Sequence, residues 1–230
     1  MRRPSGVGAA RSHPPLGRVL AAVIAFLAVA VAACGTGSDA RTTDAQTTKS
    51  DPAAAKQLAS AASAMQQASG YRFDATVGAG AAGVEVAGEF QAPDRLHETV
   101  TVAGTPSAEV VFIGPGAFVK DPATGAWRDR VQGQAQPAAT DVRSAFGALA
   151  HAREVSRSSD GTYHFTISAA AARDLVGPNA TGTVAGTAQL DSHGVISLSY
   201  RATVGGKPLD FRISYSDIGN APPVEQPATS

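Results

Sequence analysis

Along this chain the spacing of apolar side chains switches between a helical and a strand period, and each switch marks an element. Ala55, Leu58, Ala62 and Met65 recur at three and four residues behind Ser50 or Asp51 as N-cap, with Pro52 in the first turn and Gly70 as the stop, which predicts a helix. Its apolar stripe is narrow and made of small side chains, suited to lying closely on a sheet. From Tyr71 the period is two. Tyr71, Phe73, Ala75 and Val77 alternate with polar residues, and Val84, Val86, Gly88 and Phe90 repeat the pattern up to a Pro93-Asp94 turn. Leu96 to Val102, Glu109 to Gly114 and Ala117 to Lys120 complete five strands, separated by Ala103-Gly104 and Pro115-Gly116, with Trp127 after the turn at Asp121 to Gly125.

The second half repeats the alternation. A polar break at Gln132 to Ala139 precedes Thr140-Asp141 as the cap of a short helix with Val142, Ala145, Phe146 and Leu149 on one stripe. Glu154 to Ser158 and Thr162 to Ser168 flank Asp160-Gly161 as a hairpin, and Ala169 to Val176 form a helix stopped by Gly177-Pro178. Three longer strands follow, at Thr183 to Leu190, Val195 to Val204 and Leu209 to Ile218; the Pro-rich tail from Ala221 is expected to be extended or disordered. The class is therefore α+β: a large curved antiparallel sheet, an open half-barrel of about ten strands, covered on its concave face by about three helices.

The first 34 residues carry a different signal. Arg2, Arg3, Arg11 and Arg18 form a basic leader without an acid, and Val19 to Ala33 run uncharged for 15 residues. As a helix that run is roughly 22 Å long, short of the ~30 Å hydrocarbon core, so it reads as a secretory signal and not a permanent span. It ends in Val31-Ala32-Ala33-Cys34-Gly35, small residues leading into the only cysteine. Residues 35–50 then contain no Leu, Ile, Val, Met or aromatic residue and read as a flexible tether, about 20 to 24 Å in r.m.s. span. The expected organisation is a signal peptide at 1–33, Cys34 and the tether at 34–50, a folded domain at 51–219 and the tail at 220–230.

Val31 to Cys34 resembles the lipobox of bacterial lipoproteins. That resemblance implies cleavage between Ala33 and Cys34, diacylglyceryl transfer to the Cys34 thiol and acylation of the new amino group. Several acyl chains on one residue make a stable anchor where a single chain is marginal.

The mature chain also resembles the LolA-like lipoprotein-carrier fold, and within it the LppX/LprAFG-type lipoproteins of mycobacteria and relatives. The resemblance rests on the lipobox, the Ala-rich opening helix and Gly88-Glu89-Phe90 leading into Pro93-Asp94-Arg95. It continues through Phe112-Ile113-Gly114, Phe118-Val119-Lys120 and Trp127 to Tyr215-Ser216-Asp217-Ile218-Gly219 ahead of Val224 and Pro227. It implies a curved sheet wrapped on helices, with a hydrophobic cavity that holds acyl chains in some members. Ala75, Gly88, Ala108 and Ala188, together with Phe112 and Phe211, are the candidate cavity residues; equally, the small side chains among them could let helix and sheet approach closely and leave no space.

Charge and chemistry narrow the function. The chain has 19 Lys+Arg against 19 Asp+Glu, and loss of residues 1–33 leaves 15 against 19, a formal charge of −4. No basic run suits nucleic acid, and a mildly acidic surface leaves membrane attachment to the anchor. One cysteine excludes a disulfide framework. Residues 78–83 match the glycine spacing of a dinucleotide fingerprint, but the strand Val84-Glu85-Val86 follows where a helix is required, so the segment is a hairpin loop. His97, His151, His164 and His193 have no metal-ligand spacing, no Gly-x-Ser-x-Gly elbow occurs, and the Asn179-Ala180-Thr181 sequon carries no weight in a bacterial lipoprotein.

The expectation is a non-enzymatic envelope lipoprotein on the outer face of the cell membrane. It needs no metal or cofactor beyond the acyl groups on Cys34, and it binds and carries or presents a lipid. The alternative is a lipid-anchored interaction module with a filled core and an envelope protein partner. Trp127 reads as a hairpin-end aromatic packed on its neighbours, or as a group at the cavity mouth or membrane interface.

Overall fold

The computed structural model describes residues 50–78, 83–129, 143–177 and 179–229. The signal segment, Ala33, Cys34, nearly all of the tether and the Thr140-Asp141 cap lie outside the described residues. Among those described, no helix is long and apolar enough to cross a membrane.

Helix α1, Pro52–Gln67, starts where expected: the Asp51 carboxylate accepts a hydrogen bond from the Ala53 N–H at 2.8 Å, satisfying a donor the helix cannot. It buries Ala54, Leu58, Ala61, Ala62 and Met65. It ends at Gln67 and not at Gly70, because Ala68 turns extended and Gly70 already pairs with Gln91 in the sheet. Helix α2, Ser144–Ala150, begins with no side-chain cap on its first turn, and α3, Ala169–Val176, is capped by Ser168.

The strands are β1 Gly70–Val77, β2 Val84–Gln91, β3 Arg95–Val102, β4 Thr105–Ile113, β5 Gly116–Lys120, β6 Trp127–Asp129, β7 Arg153–Arg157, β8 Tyr163–Ile167, β9 Ala180–Leu190, β10 Val195–Val204 and β11 Lys207–Ser216. The count is eleven where about ten were expected. The extra strand is β6, three residues too short to show a period, held by pairing Trp127, Arg128 and Asp129 to Lys120, Val119 and Phe118. Strand β4 also starts four residues before the expected Glu109, through Thr105-Pro106-Ser107-Ala108, where proline and polar residues hide the pattern.

All eleven form one antiparallel sheet in the order β6-β5-β4-β3-β2-β1-β11-β10-β9-β8-β7. Two meanders, β1–β6 and β7–β11, are joined where β1 pairs with β11, from Arg72 opposite Ser216 to Val77 opposite Phe211. The end strands β6 and β7 do not pair with each other, so the sheet does not close; an isolated parallel bridge joins Trp127 of β6 to Thr229 of the tail. A twisted sheet of this width curls into an open half-barrel.

Helix packing is concentrated on one half of one face. Helix α1 lies against β7 and β10, and α3 against β9 and β10, while α2 bridges α1 and α3. The Tyr163 hydroxyl donates to Gln57 Oε1 at 2.6 Å, and the Phe146 ring of α2 meets Tyr71 edge-on at 5.9 Å, which fixes the helix-facing side of the sheet.

Candidate functional site

Residues directly opposite in an antiparallel ladder share a face. One row on the helix side therefore runs Tyr163, Ala188, Leu198, Ile213, Ala75, Val86, Val100, Ala108, and the next runs Phe165, Gly186, Tyr200, Phe211, Val77, Val84, Val102. A third holds Val119, Val110, Glu98, Gly88, Phe73 and Tyr215, and a fourth Ala117, Phe112, Leu96, Phe90 and Tyr71. The six candidate cavity residues, Phe112, Phe211, Ala75, Gly88, Ala108 and Ala188, thus all fall on one face.

Their surroundings differ. Ala188 is buried between Tyr163 and Leu198, and Phe211 is buried and stacked on Tyr200 at 4.8 Å, so both belong to the packed half under the helices. Gly88 leaves no void, because a Cβ there would sit 2.6 Å from Phe73 Cζ; the Phe73 ring fills the space. Gly186 does the same for Phe165. Ala75, Ala108 and Phe112 are half-buried and share a continuous apolar wall with half-buried Val84, Val86, Val102 and Ile213.

Glu98 lies in the middle of this wall, and the sequence reading missed it. Its neighbours on the same face are Leu96 and Val100 along β3, Val110 on β4 and Gly88 under the Phe73 ring on β2. Leu96, Val100, Val110 and Phe73 are all buried. Among the described residues nothing forms a hydrogen bond or ion pair with the Glu98 carboxyl, although solvent still touches the side chain. Removal from water raises its pKa to about 7, with His97 on the opposite face pulling weakly the other way. The signal was present as parity: in Leu96-His97-Glu98-Thr99-Val100 the glutamate occupies an apolar position.

The opposite face is polar at its centre. A ladder runs from Asp217 through Arg72, Glu89, His97 and Glu109 to Lys120, with His97 bridging Glu89 (3.5 Å) and Glu109 (3.2 Å). His97 is therefore no isolated surface histidine. Burial opposes ionisation of Glu109, but hydrogen bonds from Lys120 and His97 outweigh it and hold the carboxyl below its usual range. On β10 and β11 an Arg201–Asp210 fork at 2.7 and 2.9 Å keeps this face wet.

The tail is extended and docked on this polar side. Val224 packs with Val111 and Phe118 against Trp127 and Ile113, Arg95 donates to the Val224 carbonyl at 2.8 Å, and the Val224 N–H donates to Gln91 Oε1 at 3.0 Å. Trp127 therefore sits away from the apolar wall, under the Lys120 ammonium at 5.6 Å, packed on its neighbours.

The described residues line clefts on the helix-bearing half of the sheet. One, of about 380 Å³, lies between α1 and the β7–β10 edge and is lined by Gln57, Ser60, Arg157, Tyr163 and Asp191, among others. Another, of about 220 Å³, lies beside the end of β11 near His193, Tyr215 and Asp217. Neither of these includes any of the six candidate cavity residues. No group of three or more His, Cys, Asp and Glu is placed to hold a metal among the described residues.

An unclosed antiparallel half-barrel, with helices on one face and an apolar wall continuing beyond them, defines the architecture of this chain. It is the fold of LppX/LprF-type lipoproteins. The crystal structure of the Mycobacterium tuberculosis lipoprotein LppX matches with a TM-score of 0.52 and 14% identity, covering 76% of this chain and 100% of that one. LprF from Mycobacterium bovis matches with a TM-score of 0.58 and 14% identity, covering 78% and 99%. No family model matches the sequence, and no curated protein matches it in sequence.

Proposed function

We propose that this protein is an envelope lipoprotein, held at the outer face of the cell membrane by acyl groups on Cys34. In this reading it binds and carries or presents a hydrophobic, acyl-chain ligand, without covalent chemistry. The observation that supports ligand binding most directly is the apolar wall of Ala75, Val84, Val86, Val102, Ala108, Phe112 and Ile213, half-buried and outside the main helix packing. Apolar area withdrawn from water there contributes ~25 cal/mol per Å², offset by what the ligand loses on leaving a bilayer, so exchange stays accessible.

Purification from the native host followed by native mass spectrometry is expected to show co-bound lipid, with occupancy falling at least fivefold in Phe112→Asp. That position is preferred to Phe211, whose burial makes a charge there an unfolding lesion. Repeated lipid-free preparations would favour the interaction module. The anchor is tested separately: Cys34→Ala is expected to move the protein from the membrane fraction to the soluble fraction or leave it as unprocessed precursor, and unchanged membrane extraction would remove the case for lipidation.

A further inference from the structure

The apolar wall carries one carboxyl, and its placement has a chemical consequence. Leu96, Val100, Val110 and Phe73 surround Glu98 with buried hydrocarbon, and no described residue supplies it with a donor. A carboxyl in such a setting is either costly when ionised or completed by something that brings donors to it. Its neighbours across the ladder, Gly88 and Val110, have no polar side-chain atoms. Two nearby basic side chains contact other groups. His97 is on the other face between Glu89 and Glu109, and the Arg143 guanidinium lies over the Phe90 ring at 5.4 Å.

We propose that Glu98 is the head-group anchor of this wall, selecting amphiphiles whose polar end carries a hydrogen-bond donor, ammonium or hydroxyl, over those that end in a carboxylate. The inference rests on the carrier reading and specifies its ligand. An alkyl chain would lie along Val86, Ala75 and Ile213 while the donor completes Glu98. An ammonium adds charge attraction to the hydrogen bond and a hydroxyl supplies the hydrogen bond alone, whereas a carboxylate would bring a second negative charge against the first. The expected order is therefore amine, then alcohol, then acid.

The test uses full-length protein extracted in a nonionic detergent, with three C12 probes carrying the same terminal diazirine: an amine, an alcohol and an acid. After photolysis at pH 8, peptides spanning β1–β4 are expected to carry at least tenfold more amine than acid in the wild type. In Glu98→Gln and Glu98→Met the difference should shrink to within twofold, while total alcohol labelling changes less. Partitioning of the probes into detergent is common to all three proteins and cancels in the ratio to wild type. Equal labelling by the three probes, or a preference that survives both substitutions, overturns the anchor and leaves the carrier reading standing. Absence of labelling on the helix-facing strands by every probe overturns both.

Discussion

Replacing Phe146 by Ala is expected to lower the free energy of unfolding by about 3–5 kcal/mol, the range for deleting a fully buried aromatic side chain. Phe146 is 0% exposed and lies 5.9 Å from Tyr71 and 5.2 Å from Tyr215, centroid to centroid. Helix α2 is seven residues long and has no side-chain cap, so it has little stability of its own and depends on what it buries. Phe146 and Leu149 are its large buried side chains, and Phe146 is the one that bonds the helix layer to the joint between the two meanders at β1 and β11. Its loss removes buried area, the edge-on ring contact and the attachment of α2 together. Urea denaturation followed by far-UV circular dichroism measures the change. A loss below about 1 kcal/mol would show that α2 is held by something else.

The second large effect is one of pH. The unfolded chain releases the Glu98 proton near the ordinary glutamate value of 4.5, whereas the folded protein holds it to about 7. Between those values the unfolded state binds fewer protons, so this group's contribution to stability is fully present below 4.5 and declines as pH rises through 7. The decline amounts to at most about 3 kcal/mol, less because water still reaches the side chain. Glu98→Gln removes it. The variant is expected to match the wild type near pH 4 and to exceed it by 1 to about 3 kcal/mol at pH 8. Glu109 and Asp210 act with the opposite sign. Their carboxyls are held below the usual range, so their stabilisation is present above the unfolded values and lost as pH falls through the folded ones. Chemical denaturation of both proteins from pH 4 to 8 resolves the difference, and parallel curves would mean that Glu98 is fully hydrated in the folded state.

The same residues show what could be read from the chain in advance. Alternation made the strands legible, because a side chain's parity decides its face wherever one face is buried and the other is wet. The six candidate cavity residues consequently fall on one side of the sheet. Parity could not say which of them would be filled: Ala188 and Gly88 are both small, yet one is sealed by Tyr163 and Leu198 and the other by the ring of Phe73. The run Val110-Val111-Phe112-Ile113 broke alternation because both faces are apolar there: Val110 and Phe112 belong to the wall, and Val111 and Ile113 pack against Val224 of the tail. A tail rich in proline offers no period, so its docking was invisible until the surface it covers was in place.

By itself the sequence determined the elements other than β6, their antiparallel meanders and the apolar parity of the strands, since these depend on neighbours two to four residues apart. Only the tertiary structure decided that β1 joins β11, that the helices pack mainly on β7, β9 and β10, and that Glu98 is left among hydrocarbon. The β1–β11 pairing joins residues as distant in the chain as Arg72 and Ser216, and the other two outcomes are set by how the whole sheet brings its strands and helices together, which spacing along one segment does not show.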